Sequence, residues 1–525
     1  MEKNIVLKNP MRVSARIAYV YPSLYRVMIS SLSPDIIYYM LNKRLEVYVE
    51  RFHCTSLHGL EEEPRSLETK SRLRDFPLIL TTLHYEPDIV NLVRLLIAGG
   101  IEVYSRNRAR SIVIAGGPAA LSNPIPYSDV IDAFIIGEAE STLDRVVDLW
   151  LEYGDSKKRF LEELSQLKFT YVPGYSDVSS SIEKSRVEDL NSAFYPVKQV
   201  ENTIVEPIYG RGFKVEVSRG CPFWCSFCME SRLFQPFRER GLNRLKEVIE
   251  EGLKYTISGK RLVLYSLSFP TTSNQYKLLE YLSSEGFTAT MPSLRIGRYL
   301  EKSLELIKNL GQRTLTLAPE SFTHTLQSCF FKYTSLVEYI EQFIREAVDL
   351  GFDLKLYLVY GVKGVGIEKL REDIEYITRL VKYAKERGRK ITLSLNPLIP
   401  KPHTMFQWIG MSCREELLRQ LEFYRRELKG LVEARIYDID WGIVQAQLAL
   451  SPKPLGRFIY TWALHGGGLS GWRRAIRETS LDYSYVFNGY DPGEKTPWSF
   501  INLGWGVEKV NIGQFNASRR ILGLN

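Results

Sequence analysis

Cysteine is scarce in this chain: six in 525 residues are far too few for a disulfide scaffold. Long apolar runs are missing as well. No stretch reaches the 18 or so consecutive apolar residues that a bilayer-spanning helix needs. The opening MEKNIVLKNPMRVSARIAYVYP lacks the continuous apolar segment and small-residue cleavage site of a signal peptide. These absences predict a cytoplasmic protein. Neither charge sign dominates, since 69 Lys and Arg face 61 Asp and Glu. The resulting +8, spread over a large surface, is a weak attraction for polyanions and disfavours nucleic acid as a partner. Solenoid-length repeats are absent too. What remains is an ordinary globular composition, 45% apolar and 25% charged, which excludes a disordered or collagen-like chain. At roughly 100 to 200 residues per domain, the length favours two to four compact units.

The fold class expected is α/β. Residues 16–140 alternate short apolar runs with helical patterns, as a doubly wound parallel sheet does. Candidate strands are Arg16–Tyr21, Glu46–Glu50, Leu78–Thr82, Ser111–Ala115 and Ala133–Ile136. Their following loops, Pro22-Ser23, Leu83-His84-Tyr85, Gly116-Gly117-Pro118 and Gly137-Glu138, should share one crevice at the carboxyl edge. The pair Gly116-Gly117 admits either close backbone approach to a bulky ligand or a tight strand-to-loop turn.

Periodicity fades between Tyr153 and Lys214 and resumes as six βα units, with strands at Lys214–Ser218, Leu262–Leu267, Thr288–Leu294, Thr314–Ala318, Leu354–Tyr360 and Lys390–Leu395. Six units make three quarters of an eightfold barrel. One intervening helix carries a capping box, Ser335 and Glu338. The expected division is an N-terminal Rossmann-like domain over 1–155, a linker or cap over 156–205, a partial (β/α)6 barrel over 206–430, and an aromatic-rich α+β extension over 431–525.

Three of the six cysteines stand as CPFWCSFC, Cys221, Cys225 and Cys228, directly after the first barrel strand and Arg219-Gly220. Barrel enzymes keep their chemistry in such loops. Three thiolates leave one metal position open, whereas a structural zinc or closed iron–sulfur site takes four protein ligands. The alternatives are a zinc site completed by a distant histidine, or a cluster completed by Cys329 or Cys413.

The CxxxCxxC spacing resembles that of the radical S-adenosylmethionine (SAM) superfamily. The resemblance implies a [4Fe-4S] cluster on Cys221, Cys225 and Cys228. Its open iron would be chelated by SAM, whose one-electron cleavage yields a 5′-deoxyadenosyl radical that abstracts hydrogen from an unactivated carbon. It also implies a ferredoxin- or flavodoxin-type electron donor. By position Phe227 would border the adenine. Family members carry a Gly-Gly-Glu-like segment after the second strand, where this chain has Ser266-Leu267-Ser268-Phe269-Pro270, so Ser268 replaces it only in part. Ser293, Arg295, Glu320 and Lys355, with Tyr357 as an alternative to Lys355, are the remaining strand-end candidates for SAM. A cation there suits its carboxylate and Glu320 its ribose hydroxyls.

The segment NPLIPKPHTMFQW from Asn396 resembles NPxxPKPHTPFQW of radical SAM proteins with an N-terminal cobalamin-binding-type domain. In that group it closes the barrel mouth, and it makes His403 the one catalytic candidate, against the alternative of a structural histidine. RIAYVYPSLYRVMISS, FPLILTTLHYEPD, IVIAGGP and DAFIIGEAE resemble that N-terminal domain, and Gly116, Gly117 and His84 are the cobalamin candidates. None of the six histidines stands in a DxHxxG motif, so a corrinoid would lack a histidine below cobalt. A substrate or partner platform is the other reading of this domain. KTPWSFINLGWGVEKV resembles the terminal signature of the same group. GRFIYTWALHGGGLSGWRR suits either a large apolar pocket or a satellite core.

The implied function is radical modification of a C–H bond, by cobalamin-dependent methylation or by C–C bond formation, on a small molecule or lipid. The resemblance extends to archaeal synthases of tetraether membrane lipids, which admits peripheral membrane contact. An RNA-modifying methylthiotransferase and a non-enzymatic iron–sulfur or zinc protein are the alternatives.

Overall fold

The computed structural model describes residues 1–332, 337–504 and 506–523; Ser335 of the expected capping box lies outside the described residues. The N-terminal body is a six-stranded sheet of β1 (Ala15–Leu24), β2 (Val47–Cys54), β3 (Leu78–Thr82), β4 (Ile112–Gly116), β5 (Ala133–Ile135) and β6 (Thr170–Tyr171), in spatial order β2-β1-β3-β4-β5-β6. The first five are parallel. Their near-continuous apolar character follows from helices covering both faces. The chain reverses its winding direction between β1 and β3, and this is where ligands of doubly wound sheets bind.

Two features differ from the sequence reading. Pro22-Ser23, expected to end the first strand, lie inside β1, where a register shift between Tyr21 and Leu24 absorbs them; proline is tolerated at such irregularities. Part of the stretch expected to be linker is ordered: Ser156 caps a helix Lys157–Ser165, and β6 then pairs antiparallel with β5. Three apolar residues of that helix, Phe160, Leu161 and Leu164, are buried on the sheet, which the short segment's high charge masks in sequence.

The barrel consists of β7 (Phe213–Glu216), β8 (Arg261–Tyr265), β9 (Thr288–Thr290), β10 (Thr314–Glu320), β11 (Asp353–Tyr360), β12 (Ile391–Pro397) and β13 (Glu433–Ile436), all parallel. Bridges from Leu294 to Phe269 and to Leu317 join its two halves. β13 adds a seventh strand beyond the six expected; its four residues EARI carry two charges and show no apolar alternation. Along β11, Leu354, Leu356, Leu358 and Tyr360 are buried while Lys355 and Tyr357 share the half-exposed face.

The aromatic tail forms helices rather than a pocket. Helix Gly456–Leu464 packs on helix Asp88–Ala98 of the N-terminal body. The turn through Gly466 approaches Gly59 so closely that a Cβ would sit 3.0 Å from the Gly59 backbone. No described helix is long and apolar enough to cross a membrane.

Candidate functional site

β7 delivers the chain to Ser218-Arg219, which pairs antiparallel with Arg238-Glu239. Gly220 then turns with φ +80°, and a Cβ here would meet the carbonyl oxygens of Phe234 at 2.4 Å and Pro236 at 2.7 Å. Only glycine satisfies both the dihedral and the space. Cys221 and Cys225 are buried, Cys228 partly so, and none is in a disulfide. Burial pushes the Cys221 thiol up and the Cys228 thiol to about 12, with Cys225 adding to both. The loop is held by its backbone. Ser226 N–H donates to Phe330 O at 2.9 Å and its hydroxyl to Cys329 O at 2.7 Å; Gln235 Nε2 donates to Cys221 O at 2.7 Å.

The three thiols sense one another without converging on a point. Among the described residues no three His, Cys, Asp or Glu side chains surround a single metal position, as a zinc with Zn–S distances of about 2.3 Å would require. Three cysteine thiols on one loop are the donor set of a [4Fe-4S] cluster with one open iron corner. The Cys329 thiol is instead buried beside Ser518, and Cys413 is exposed near Lys363. Neither supplies the fourth ligand considered above.

Several SAM candidates gather at this loop. The Ser268 hydroxyl is buried beside Cys221 and lowers its thiol by hydrogen bonding, against the larger effect of burial. Arg295 Nη1 is 3.8 Å from Cys225 Sγ, and its guanidinium carbon lies 3.5 Å from the Phe223 ring centroid. It also donates to Lys332 O, while Lys332 Nζ meets Glu320 Oε1 at 2.6 Å. Glu320 holds φ +67°, a left-handed conformation that non-glycine residues adopt infrequently. Phe227 packs edge-on against Phe330, ring centroids 5.2 Å apart. Lys355 sits apart on β11, its Nζ 3.1 Å from Tyr357 Oη, and Ser293 is exposed.

A cavity of about 570 Å³ opens at the carboxyl edge of the N-terminal sheet. Tyr19, Thr82, His84, Gly116 and Gly117 line its sheet side, and Ser218, Arg219, Gly220 and Leu267 its barrel side. It therefore spans the switch point and reaches the residue preceding Cys221. A Cβ on Gly116 would meet nothing within 4 Å, whereas one on Gly117, at φ +95°, would lie 2.7 Å from Leu83 O. The first glycine thus leaves space and the second makes the turn. His84 Nε2 is 3.1 Å from Ser33 Oγ, and burial lowers its pKa to about 4, so the ring is neutral.

His403 is not at the cavity. Its Nε2 donates to the Ser122 carbonyl at 2.9 Å, across the junction between the two bodies, and burial lowers its pKa to about 4. The junction also holds charges that sequence reasoning passed over. Arg219 pairs with Glu138 at 2.9 Å, Glu140 at 2.8 Å and Glu216 at 2.9 Å, and Lys214 pairs with Asp35. The GEAE stretch was the available signal: two acids immediately after a buried strand.

Family comparisons agree with this anatomy. The model for N-terminal domains of radical SAM proteins matches residues 34–173, and that for the radical SAM superfamily matches residues 215–377. An uncharacterised protein of Methanocaldococcus jannaschii is 29% identical over 400 residues, 74% of this chain and 79% of its own. The anaerobic magnesium-protoporphyrin IX monomethyl ester cyclase of Cereibacter sphaeroides is 26% identical over 123 residues, 23% of this chain and 19% of that protein. Among solved structures, the cobalamin-dependent radical SAM enzyme OxsB with aqua-cobalamin shares the fold at TM-score 0.53 and 13% identity, covering 97% of this chain and 80% of that one. The radical SAM methyltransferase TsrM of Kitasatospora setae with cobalamin and a [4Fe-4S] cluster does so at TM-score 0.52 and 12% identity, covering 89% and 99%. With its cysteine loop at the end of the first barrel strand and both domain models matched in order, the chain belongs to the radical SAM superfamily.

Proposed function

We propose that this chain is a corrinoid-dependent radical SAM methyltransferase acting on an unreactive carbon. The observation that carries this reading is the cavity, which lies on the switch point of a flavodoxin-type sheet and ends at Gly220, one residue before the first cluster cysteine. Cys221, Cys225 and Cys228 would hold the cluster, and the side chains of Ser268 and Arg295 beside them would bind SAM. When bound, the cluster supplies the electron that cleaves SAM, and the corrinoid a transferable methyl group. Arg295 would orient the SAM carboxylate, since its guanidinium is already fixed over Phe223 and guanidinium matches carboxylate geometry. Gly116 leaves the sheet side of the cavity bare for a flat macrocycle. His84, neutral and turned to Ser33, serves as wall. Burial of the junction keeps water from the reacting groups.

The test is anaerobic reconstitution of the full chain with iron, sulfide and a corrinoid, followed by visible spectroscopy and assay of 5′-deoxyadenosine on adding SAM and dithionite. Corrin bands together with a cluster band are expected. Gly116→Leu should abolish the corrin bands and leave the cluster band. A chain that retains no corrinoid but still forms 5′-deoxyadenosine would exclude the methyl-transfer reading and leave radical C–C bond formation.

A further inference from the structure

Arg232 stands four residues beyond Cys228 in the short helix Glu230–Leu233 and is fully buried. Its guanidinium donates to the carbonyl oxygens of Cys225 and Cys228, the latter at 3.3 Å, and to Ser231 Oγ at 2.7 Å. Two further acceptors come from the C-terminal helix Val507–Leu522: Gln514 Oε1 at 2.6 Å and Asn511 Oδ1 at 3.2 Å. The Trp224 ring centroid lies 5.5 Å from the guanidinium carbon. Every hydrogen-bond partner is neutral. Among the described residues Arg232 forms no ion pair with a carboxylate.

A buried cation without an anion is expensive, and folds retain one where an anion is to be bound. The helix that supplies the neutral acceptors holds more than the arginine. Gln514 Nε2 donates to Trp224 O at 2.5 Å, inside the CPFWC stretch, and Asn511 Nδ2 donates to His403 O at 2.6 Å. One helix turn thus joins the cysteine loop to the proline-rich segment after β12.

We infer that Arg232 is a positioning residue that balances the charge of the cysteine-held cluster, and that the C-terminal helix is the clasp that keeps it there. This rests on the reading of the three cysteines as cluster ligands. Arg232 acts through the backbone of the loop and through its fixed charge, and it contacts neither SAM nor substrate. A positive charge in a low-dielectric surrounding favours the more negative, reduced cluster. Neutralising it should therefore make reduction harder.

The experiment is a potentiometric titration of the reconstituted full chain without SAM, followed by electron paramagnetic resonance, with iron and sulfide content measured alongside. Arg232→Gln keeps hydrogen-bonding capacity and loses the charge. At least a tenfold loss in the one-electron reduction equilibrium is expected, a fall of 59 mV, with Arg232→Lys staying near wild type. Gln514→Leu, which retains the charge and loosens the clasp, should release iron to a chelator faster than wild type does. If Arg232→Gln fails to load a cluster while Arg232→Lys loads one, the charge role stands. Equal potentials for wild type and Arg232→Gln, or failure of both variants to load, overturn it. Absence of any cluster in the wild-type chain would instead remove the reading of the cysteines, before any variant is compared.

Discussion

Replacing Arg219 by Met removes the charge at the centre of the junction while keeping an unbranched apolar side chain. Arg219 is met by Glu138 and Glu140 from the loop after β5 and by Glu216 from β7. After the change Glu138 retains Arg238 at 2.6 Å and Glu216 retains Arg240 at 2.9 Å. Glu140, 5% exposed, is left without an ion-pair partner among the described residues. Breaking a buried pair on one side costs about 3–5 kcal/mol, most of it from the orphaned charge. Arg219→Met should therefore lower the unfolding free energy by about that amount, and adding Glu140→Gln should recover a large part. The pH response supplies a second readout. Burial alone would raise the Glu216 pKa, but Arg219 and Arg240 outweigh it and bring it from 4.5 to about 2. A carboxylate depressed in the folded state stabilises above its unfolded pKa, so this contribution is complete above about pH 4.5 and is lost as pH falls toward 2. At 1.36 kcal/mol per pH unit it amounts to about 3 kcal/mol. Without Arg219 the acid-side loss should shrink. Urea unfolding by circular dichroism between pH 3 and 7 measures both effects. If the double variant is as unstable as the two single losses added together, or the acid slope is unchanged in Arg219→Met, the junction is not held by these charges.

Gly220→Ala forces a Cβ to within 2.4 Å of Phe234 O at an unfavourable φ, a strain of about 1–3 kcal/mol; reconstituted iron content should fall to less than half that of wild type. Gly117→Ala meets Leu83 O at 2.7 Å and should cost about 1–3 kcal/mol while weakening corrinoid retention, measured by gel filtration with absorbance detection. His403→Leu leaves the Ser122 carbonyl unpaired and should cost about 1–3 kcal/mol in urea unfolding at pH 7.5. In the wild-type chain the His403 contribution is complete above its unfolded value of 6.5 and is lost as pH falls toward 4, because protonation favours the unfolded state; the variant should lack that loss.

Which parts of this were legible in the sequence follows from how far apart the interacting residues lie. The parallel strands are buried on both faces, so their apolar runs stand out, and β1 to β5 and β7 to β12 coincide with the expected runs to within a few residues. β6 and β13 are short edge strands of two and four residues, stabilised by a neighbour and not by their own pattern, and nothing local announces them. The cysteine loop was legible because three cysteines and their glycine fall within nine consecutive residues, 220 to 228. Its support was not: Asn511 and Gln514 lie 279 and 282 positions from Arg232, and polar residues on a C-terminal helix look solvated until the loop they cover is known. Ser268 was found by position, though its place beside Cys221 is visible only in three dimensions. His403 was noticed for its motif, and its use as a junction tie depends on Ser122, 281 residues away.

The residues that weld the two bodies are the immediate neighbours of those that carry chemistry. Arg219 ties the barrel to the GEAE loop two residues before Cys221, Lys214 on β7 donates to the carbonyls of Ile29 and Ser31 beside the cavity, and His403 binds Ser122 two residues after Lys401 pairs with Glu86. Each tie is buried, and each would leave an unpaired polar or charged group if the bodies separated, at about 1–5 kcal/mol apiece. A swing of the N-terminal body away from the barrel would break several at once. The cavity therefore lies between bodies that these ties hold together.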